Sequence, residues 1–170
     1  MTHRRELRAY DYVNRPLAAV RMALLADPLT VFRRATSTGA ADAVEHGPSE
    51  LRVRVGAIEL ASDISIELVS IEEGRSPLDQ TATNVTLTWK SSKHPGWFPQ
   101  LRGVLAIYAL SPTETQLDFA GTYEPPMGLF GNALDAIALH RVAETSVKGF
   151  IGEIAKFLRV GVHADAVAAS

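Results

Sequence analysis

Three residues in the second half of this 170-residue chain have the types and spacing needed for acid–base chemistry. His140 and Glu144 lie four residues apart, so they share one face of a helix if that segment is helical. Tyr123 precedes them at the end of an alternating segment, and its hydroxyl can donate or accept a hydrogen bond. Together these groups could transfer a proton or hold a polar group of a ligand. The alternative is a surface ion pair of little consequence.

Other catalytic chemistries find no support in the sequence. The chain has no cysteine, which excludes disulfides, thiolate catalysis and zinc sites built on sulfur. His140 and Glu144 do not complete a zinc ligand set, so we expect no metal and no cofactor. No nucleophile elbow or phosphate-binding glycine loop is present. We interpret Trp97 and Phe98 as loop residues that cover one end of the sheet; the alternative is that they gate a cavity or contact a membrane or a partner. His94 beside them is interpreted as a loop histidine without a function.

Charge and hydropathy narrow the class of protein. The formal net charge is −2 with both signs scattered, which argues against a nucleic-acid-binding surface. The short basic stretch from His3 to Arg8 is interpreted as a solvated terminus. No apolar run approaches the roughly 20 residues of a membrane span, and no secretory signal follows the basic start. These features predict a cytoplasmic protein without stable membrane insertion.

Apolar residues recur at every second position through the middle of the chain, which is typical of strands with one buried face. A first strand is predicted earlier, at Glu6–Val13. The segment Leu101–Leu110 is apolar at both parities, so it is either a central strand or a strand whose outer face is covered by a partner. The predicted later strands are Leu51–Val55, Ile64–Leu68, Val85–Trp89, Leu101–Leu110 and Leu117–Tyr123.

Segments whose apolar residues recur at helical spacing lie before and after the run of later strands. Asn14 or Arg15 is predicted to cap a first helix with Pro16 in its first turn, and Asp27 to cap a second with Pro28 at its first position. The two short helices should form a V. After a rigid corner at Pro125–Pro126, one long helix with a wide apolar face is predicted over Asn132–Leu158.

The strands are contiguous in sequence, which indicates an α+β protein rather than a doubly wound parallel sheet. We predict a helix-grip fold: a curved antiparallel sheet of about six to seven strands wrapped around the C-terminal helix, with two short helices after strand one. The chain is interpreted as a single domain over 1–170, with an ordered core at 5–159 and a frayed tail at 160–170. A cavity between sheet and helix is expected, and a fully packed core is the alternative.

Two stretches of the sequence resemble the START-like, or SRPBCC, superfamily, which includes pollen-allergen-like proteins and polyketide cyclases. One is Trp89-Lys90-Ser91-Ser92, continuing to Trp97-Phe98-Pro99 and Gly103-Val104-Leu105. The other is Gly121–Gly128 followed by Leu139–Glu144, which is similar to a bacterial branch often described only as polyketide cyclase-like. The resemblance covers roughly residues 5 to 159 and implies an apolar cavity that binds lipids, hormones or polyketides. It supplies no shared catalytic motif.

We therefore expect a protein that binds a hydrophobic, lipid- or polyketide-like molecule, and we favour binding over catalysis. The alternative is a cyclase or aromatase in which His140, Glu144 and Tyr123 perform acid–base chemistry. A homodimer is a further possibility, through Leu101–Leu110. From the inward strand positions and the apolar row of the long helix, the predicted ligand-binding residues are Leu87, Trp89, Leu105, Ile107, Leu117, Phe119, Tyr123, His140, Val147 and Ile151.

Overall fold

The computed structural model describes residues 4–35, 64–91, 100–124 and 133–167. Their order, one strand, two short helices, a run of strands and a long helix, is the predicted order. The predicted strand Leu51–Val55, the corner Pro125–Pro126 and the loop residues His94, Trp97 and Phe98 lie outside the described residues. The described elements are β1 (Arg5–Val13), α1 (Leu17–Ala26), α2 (residues 28–35), β2 (Ile64–Arg75), β3 (Thr81–Ser91), β4 (Gln100–Ser111), β5 (Glu114–Glu124) and α3 (Ala133–Val167).

The strands form one antiparallel sheet in the order β1-β5-β4-β3-β2. β4 is a central strand, which accounts for its apolar residues at both parities. Leu105 and Ile107 face the helices and are fully buried, whereas Ala106 and Tyr108 are buried on the opposite face. Because β3 and β5 occupy both edges of β4, the predicted pairing of this strand with another subunit is wrong.

The two short helices follow β1 and pack on the same face of the sheet as α3. Pro16 occupies the N-cap position of α1, one or two residues later than the cap predicted at Asn14 or Arg15. The backbone N–H of Thr30 donates to Asp27 Oδ1 at 3.2 Å, so Asp27 caps α2 as predicted. The hydrogen bonds from Thr30 hold the pKa of the Asp27 carboxyl below its usual value.

The long helix α3 lies mainly against β1 and buries one apolar row. Val147, Ile151, Ile154 and Leu158 in this row are no more than 1% exposed. α3 continues to Val167, beyond the predicted end at Leu158, so residues 160–167 are helical where a frayed tail was predicted. Several of the helical residues beyond Leu158, including Arg159, Ala164 and Ala166, tolerate a helix well, and no proline ends it.

One aromatic ring packs against a pair of glycines on the concave face of the sheet. Gly103 and Gly121 are register partners on β4 and β5, and Phe119 lies next to both on the same face. A Cβ at Gly103 would lie 2.2 Å from Phe119 Cζ, and a Cβ at Gly121 would lie 2.9 Å from Phe119 Cε1. The ring therefore lies flat over two glycines. The ring fills the space that the two glycines, which have no side chains, would otherwise leave empty.

Candidate functional site

The three residues proposed for acid–base chemistry come together at one end of the concave face. Tyr123 is the last inward-facing residue of β5 and is fully buried. Its hydroxyl lies 3.1 Å from His140 Nδ1, and the two rings stack with centroids 5.9 Å apart. His140 Nε2 lies 3.5 Å from Glu144 Oε1, which confirms the shared helix face predicted from the spacing of four.

The hydrogen-bonding capacities of these groups indicate where the protons lie. A carboxylate only accepts, so the Nε2 atom facing Glu144 carries the proton when His140 is neutral. Nδ1 then accepts a hydrogen bond from the Tyr123 hydroxyl. The result is a directed chain from phenol to imidazole to carboxylate. Its buried end lies on the sheet, and its other end reaches solvent, because the side chains of His140 and Glu144 are 32% and 45% exposed.

A fourth member of this cluster, Arg5, was not predicted from the sequence. The antiparallel pairing of β1 with β5 places Arg5 directly opposite Tyr123. Burial raises the pKa of the Tyr123 phenol, the Arg5 guanidinium opposes this shift, and the Glu144 carboxylate adds to it. The only sequence signal was parity, since Arg5 lies two residues before Leu7 on the inward face of β1. Without the strand pairing, that parity does not connect residue 5 to residue 123.

The raised pKa of Tyr123 predicts a pH dependence of stability. Tyr123 is protonated in both states below its usual pKa of 10, and above that value the unfolded state loses its proton first. The free energy of unfolding therefore falls as the pH rises above about 10. We expect Tyr123→Phe to lose this component and to give a shallower decline in urea unfolding between about pH 9 and pH 11. If the free energy of unfolding fell equally steeply with pH in both proteins, the raised pKa of Tyr123 would be contradicted.

Most of the predicted ligand-binding residues belong to one buried cluster with α1, α2 and α3. His140 lies at the partly exposed end of α3, and the side chain of Trp89 lies outside the described part of the structure. The others contact protein on every side in this conformation, because at most 1% of their surface is exposed. These residues are Leu87, Leu105, Ile107, Leu117, Phe119, Tyr123, Val147 and Ile151.

Burial of α3 toward the sheet changes along its length. In the C-terminal half, Ile154, Ala155 and Leu158 are fully buried. Toward the start, His140 and Glu144 occupy the same helix face but keep contact with solvent. Among the described side chains on the sheet-facing side of α3, those near His140 are the least buried, so separating this part of the helix from the sheet costs the least buried apolar area. This end of the helix is where a ligand could reach the concave face with the smallest loss of packing.

Two further polar features lie away from this cluster. On the concave face, Arg21 of α1 forms an ion pair with Glu73 of β2, and the Thr83 hydroxyl donates to the same carboxylate at 3.3 Å. On the outer face, a shallow depression lies over the pairing of β1 with β5. Its lining residues are Glu6, Leu7, Arg8, Ala120, Gly121 and Thr122.

Searches for two other kinds of site were negative within the described ranges. No three His, Asp or Glu side chains there come together as a metal ligand set would. Among the helices of those ranges, none is both long and apolar enough to span a membrane.

Comparisons of the sequence with protein-family models and with curated proteins give no match. Comparison of the structure with solved structures gives many. TTHA0849 from Thermus thermophilus matches with a TM-score of 0.50 at 15% identity, over 92% of this chain and 99% of that one. The allergen Ara h 8.0201 matches with a TM-score of 0.46 at 10% identity, over 92% and 98%. The Zhui aromatase/cyclase from Streptomyces sp. R1128 matches with a TM-score of 0.40 at 15% identity, over 94% and 98%.

At these identities the likeness concerns the fold alone. The match to the Thermus protein covers nearly the whole of both chains. The described strands form the antiparallel sheet, two short helices follow β1, and the long helix ends the described chain, as the sequence predicts. The chain therefore has a helix-grip fold, with an antiparallel sheet and a long C-terminal helix.

Proposed function

We propose that the protein binds a hydrophobic small molecule, lipid- or polyketide-like, between the concave face of the sheet and α3. The observation that carries the proposal is the composition of this region. The facing surfaces of β3, β4, β5 and α3 are apolar, and one polar cluster, Arg5–Tyr123–His140–Glu144, lies at their more exposed end. A hydrogen bond joins Tyr123 to His140, and His140 Nε2 lies 3.5 Å from Glu144 Oε1. An apolar surface with a few convergent polar groups is the usual chemistry of a small-molecule site. A cytoplasmic location, expected from the cysteine-free sequence, is part of this proposal.

The closed packing of the interior defines how such binding would occur. The inward side chains that the structure describes on β3, β4 and β5 pack against protein and leave no space for a ligand between them in this conformation. Binding therefore requires a displacement of α3, and the partly exposed end near His140 is where it costs least. The Tyr123–His140 hydrogen bond joins the sheet to the helix at that end, so a ligand with a polar group would exchange its own hydrogen bond for this one.

Displacement of a fluorescent probe tests the proposal. Anilinonaphthalene sulfonate should bind saturably and be displaced by long-chain fatty acids or flat polycyclic aromatics. Tyr123→Phe and Glu144→Gln should change competitor affinity about three- to tenfold, the effect of one hydrogen bond. The matched controls are Tyr10→Phe and Glu72→Gln, which alter exposed residues on the outer face. Absence of saturable binding, or equal effects in the controls, would count against the proposal.

The second candidate is a cyclase-like enzyme, which the Tyr123–His140–Glu144 chain specifically favours. Once a ligand displaces the Tyr123 hydroxyl from Nδ1, that nitrogen of His140 could take a proton from a carbon next to a carbonyl group while Glu144 stabilises the imidazolium. Attack of the resulting carbanion on a second carbonyl of the same ligand forms the carbon–carbon bond that closes the ring, and the imidazolium returns its proton to the alkoxide. Loss of this hydroxyl group with a proton from the neighbouring carbon, as water, then leaves a double bond in the ring. Mass spectrometry of a bound poly-β-keto ligand should then show loss of water with the parent protein and not with His140→Gln. Binding without any change in ligand mass would contradict the enzymatic function and support binding alone.

A further inference from the structure

β1 is an edge strand of the described sheet. β1 pairs with β5 along its whole length, from Arg5 to Val13. Within the described residues no strand pairs with its other edge, because β1 is the outermost strand of that sheet. An edge strand presents a row of main-chain donors and acceptors that another chain can use, and proteins usually protect such edges.

One end of this edge is protected by α3. Arg159 donates to the Tyr12 carbonyl and, at 2.8 Å, to Asp11 Oδ1. The Tyr12 N–H donates to the same carboxylate oxygen at 2.7 Å. Both main-chain groups of Tyr12 are therefore occupied. Because these groups alternate between the two sides of a strand, those of Glu6, Arg8 and Tyr10 face the same edge as those of Tyr12.

The stretch left for pairing runs from residue 4 to residue 10, and Leu7 is its middle. In an antiparallel pair of two β1 strands centred on Leu7, Glu6 lies opposite Arg8 of the second copy, and Arg8 lies opposite Glu6. Arg4 lies opposite Tyr10 of the second copy, and the Arg4 side chain is 72% exposed and Tyr10 78% exposed. The two strands thus match opposite charges, and each arginine at the ends meets an aromatic ring.

A register shifted towards the end of β1 that Arg159 occupies lacks this complementarity. Centring the pair on Ala9 would place Arg8 opposite Tyr10 and bring Glu6 against Tyr12, whose main chain Arg159 already occupies. The outer face beside Glu6 and Arg8 is uncrowded, because Ala120 and Gly121 are small and leave the shallow depression there. We propose that the protein forms a two-fold symmetric dimer by antiparallel pairing of β1 with β1 of a second copy, centred on Leu7. This dimer is independent of ligand binding.

A charge-swap experiment on the full chain tests the proposal. Sedimentation of the parent protein should show a reversible dimer with a Kd in the micromolar to millimolar range, as expected for a small interface. Glu6→Arg and Arg8→Glu each place like charges opposite one another at two symmetric positions, and each should raise the dimer Kd about tenfold or more. The double variant E6R/R8E restores complementary charges and should return the Kd to within about threefold of the parent value.

The control is Arg102→Glu, an exposed reversal on the central strand β4, which should leave the Kd unchanged. Higher salt should weaken the parent dimer, since the paired charges are exposed. A protein that stays monomeric at millimolar concentration would overturn the proposal. A dimer that the single reversals do not weaken, or that the double variant does not restore, would overturn it as well, because association would then use another surface.

Discussion

Replacing Phe32 by alanine will lower the free energy of unfolding by about 3–5 kcal/mol, the usual cost of removing a fully buried phenylalanine. Phe32 is 0% exposed on α2, and its ring lies 6.0 Å from that of Phe150 on α3. This tilted pair joins α2 to the long helix α3. Urea unfolding monitored by circular dichroism measures the change.

Leu29→Ala is the matched control for Phe32→Ala. Leu29 belongs to the same helix and is 37% exposed, so its truncation removes less buried surface and should cost about 1 kcal/mol. If Phe32→Ala cost no more than Leu29→Ala, α2 would not be anchored on α3 through the Phe32 ring. The packing of α2 against α3 would then be incorrect.

Gly103→Ala is the second substitution with a large expected effect, a loss of about 2–3 kcal/mol of unfolding free energy. The new Cβ would lie 2.2 Å from Phe119 Cζ and 2.9 Å from the Ala120 carbonyl oxygen. Phe119 is fully buried, so its ring cannot move aside without displacing neighbours in the core. Thermal or urea unfolding of the variant checks the prediction.

A double-mutant cycle identifies the cause of this loss. In a Phe119→Leu background the ring is gone, so Gly103→Ala should cost at least about 1 kcal/mol less than in the parent protein. Gly152→Ala is the control, because a Cβ there meets nothing within 4 Å. Because Gly152 lies in the interior of α3, its replacement by alanine should instead raise the free energy of unfolding by about 0.5–1 kcal/mol. Additive losses for Gly103 and Phe119 would show that the ring does not lie over the glycines.

Local patterns in the sequence were sufficient for much of this fold. The period of two identified β2, β3 and β5. Asp27 marked the break between α1 and α2, because a capping carboxylate followed by proline is a local signal. The spacing of four brought His140 and Glu144 onto one face of α3. Each of these features depends on residues close together in the chain.

Features that depend on distant residues could not be predicted in this way. Arg5 joins the Tyr123 cluster only through the pairing of β1 with β5, which connects the two ends of the chain. The contact of Phe119 with Gly103 depends on the register of β4 and β5. The anchoring of α3 on β1 through Arg159 and Asp11 joins residues 148 positions apart. Strand register and helix placement follow from the packing of the whole core, and no local pattern specifies them.

The central claim, that a hydrophobic molecule binds between the sheet and α3, is tested most directly by methyl NMR. Protein labelled at Ile, Leu and Val methyl groups would be studied with bound anilinonaphthalene sulfonate, and contacts from the probe to individual methyl groups would be recorded. We expect contacts to the inner-face residues Leu105, Ile107 and Val147, which are at most 1% exposed in the free protein. Contacts confined to the exposed Val69 and Leu110, or none to the inner face, would contradict the claim.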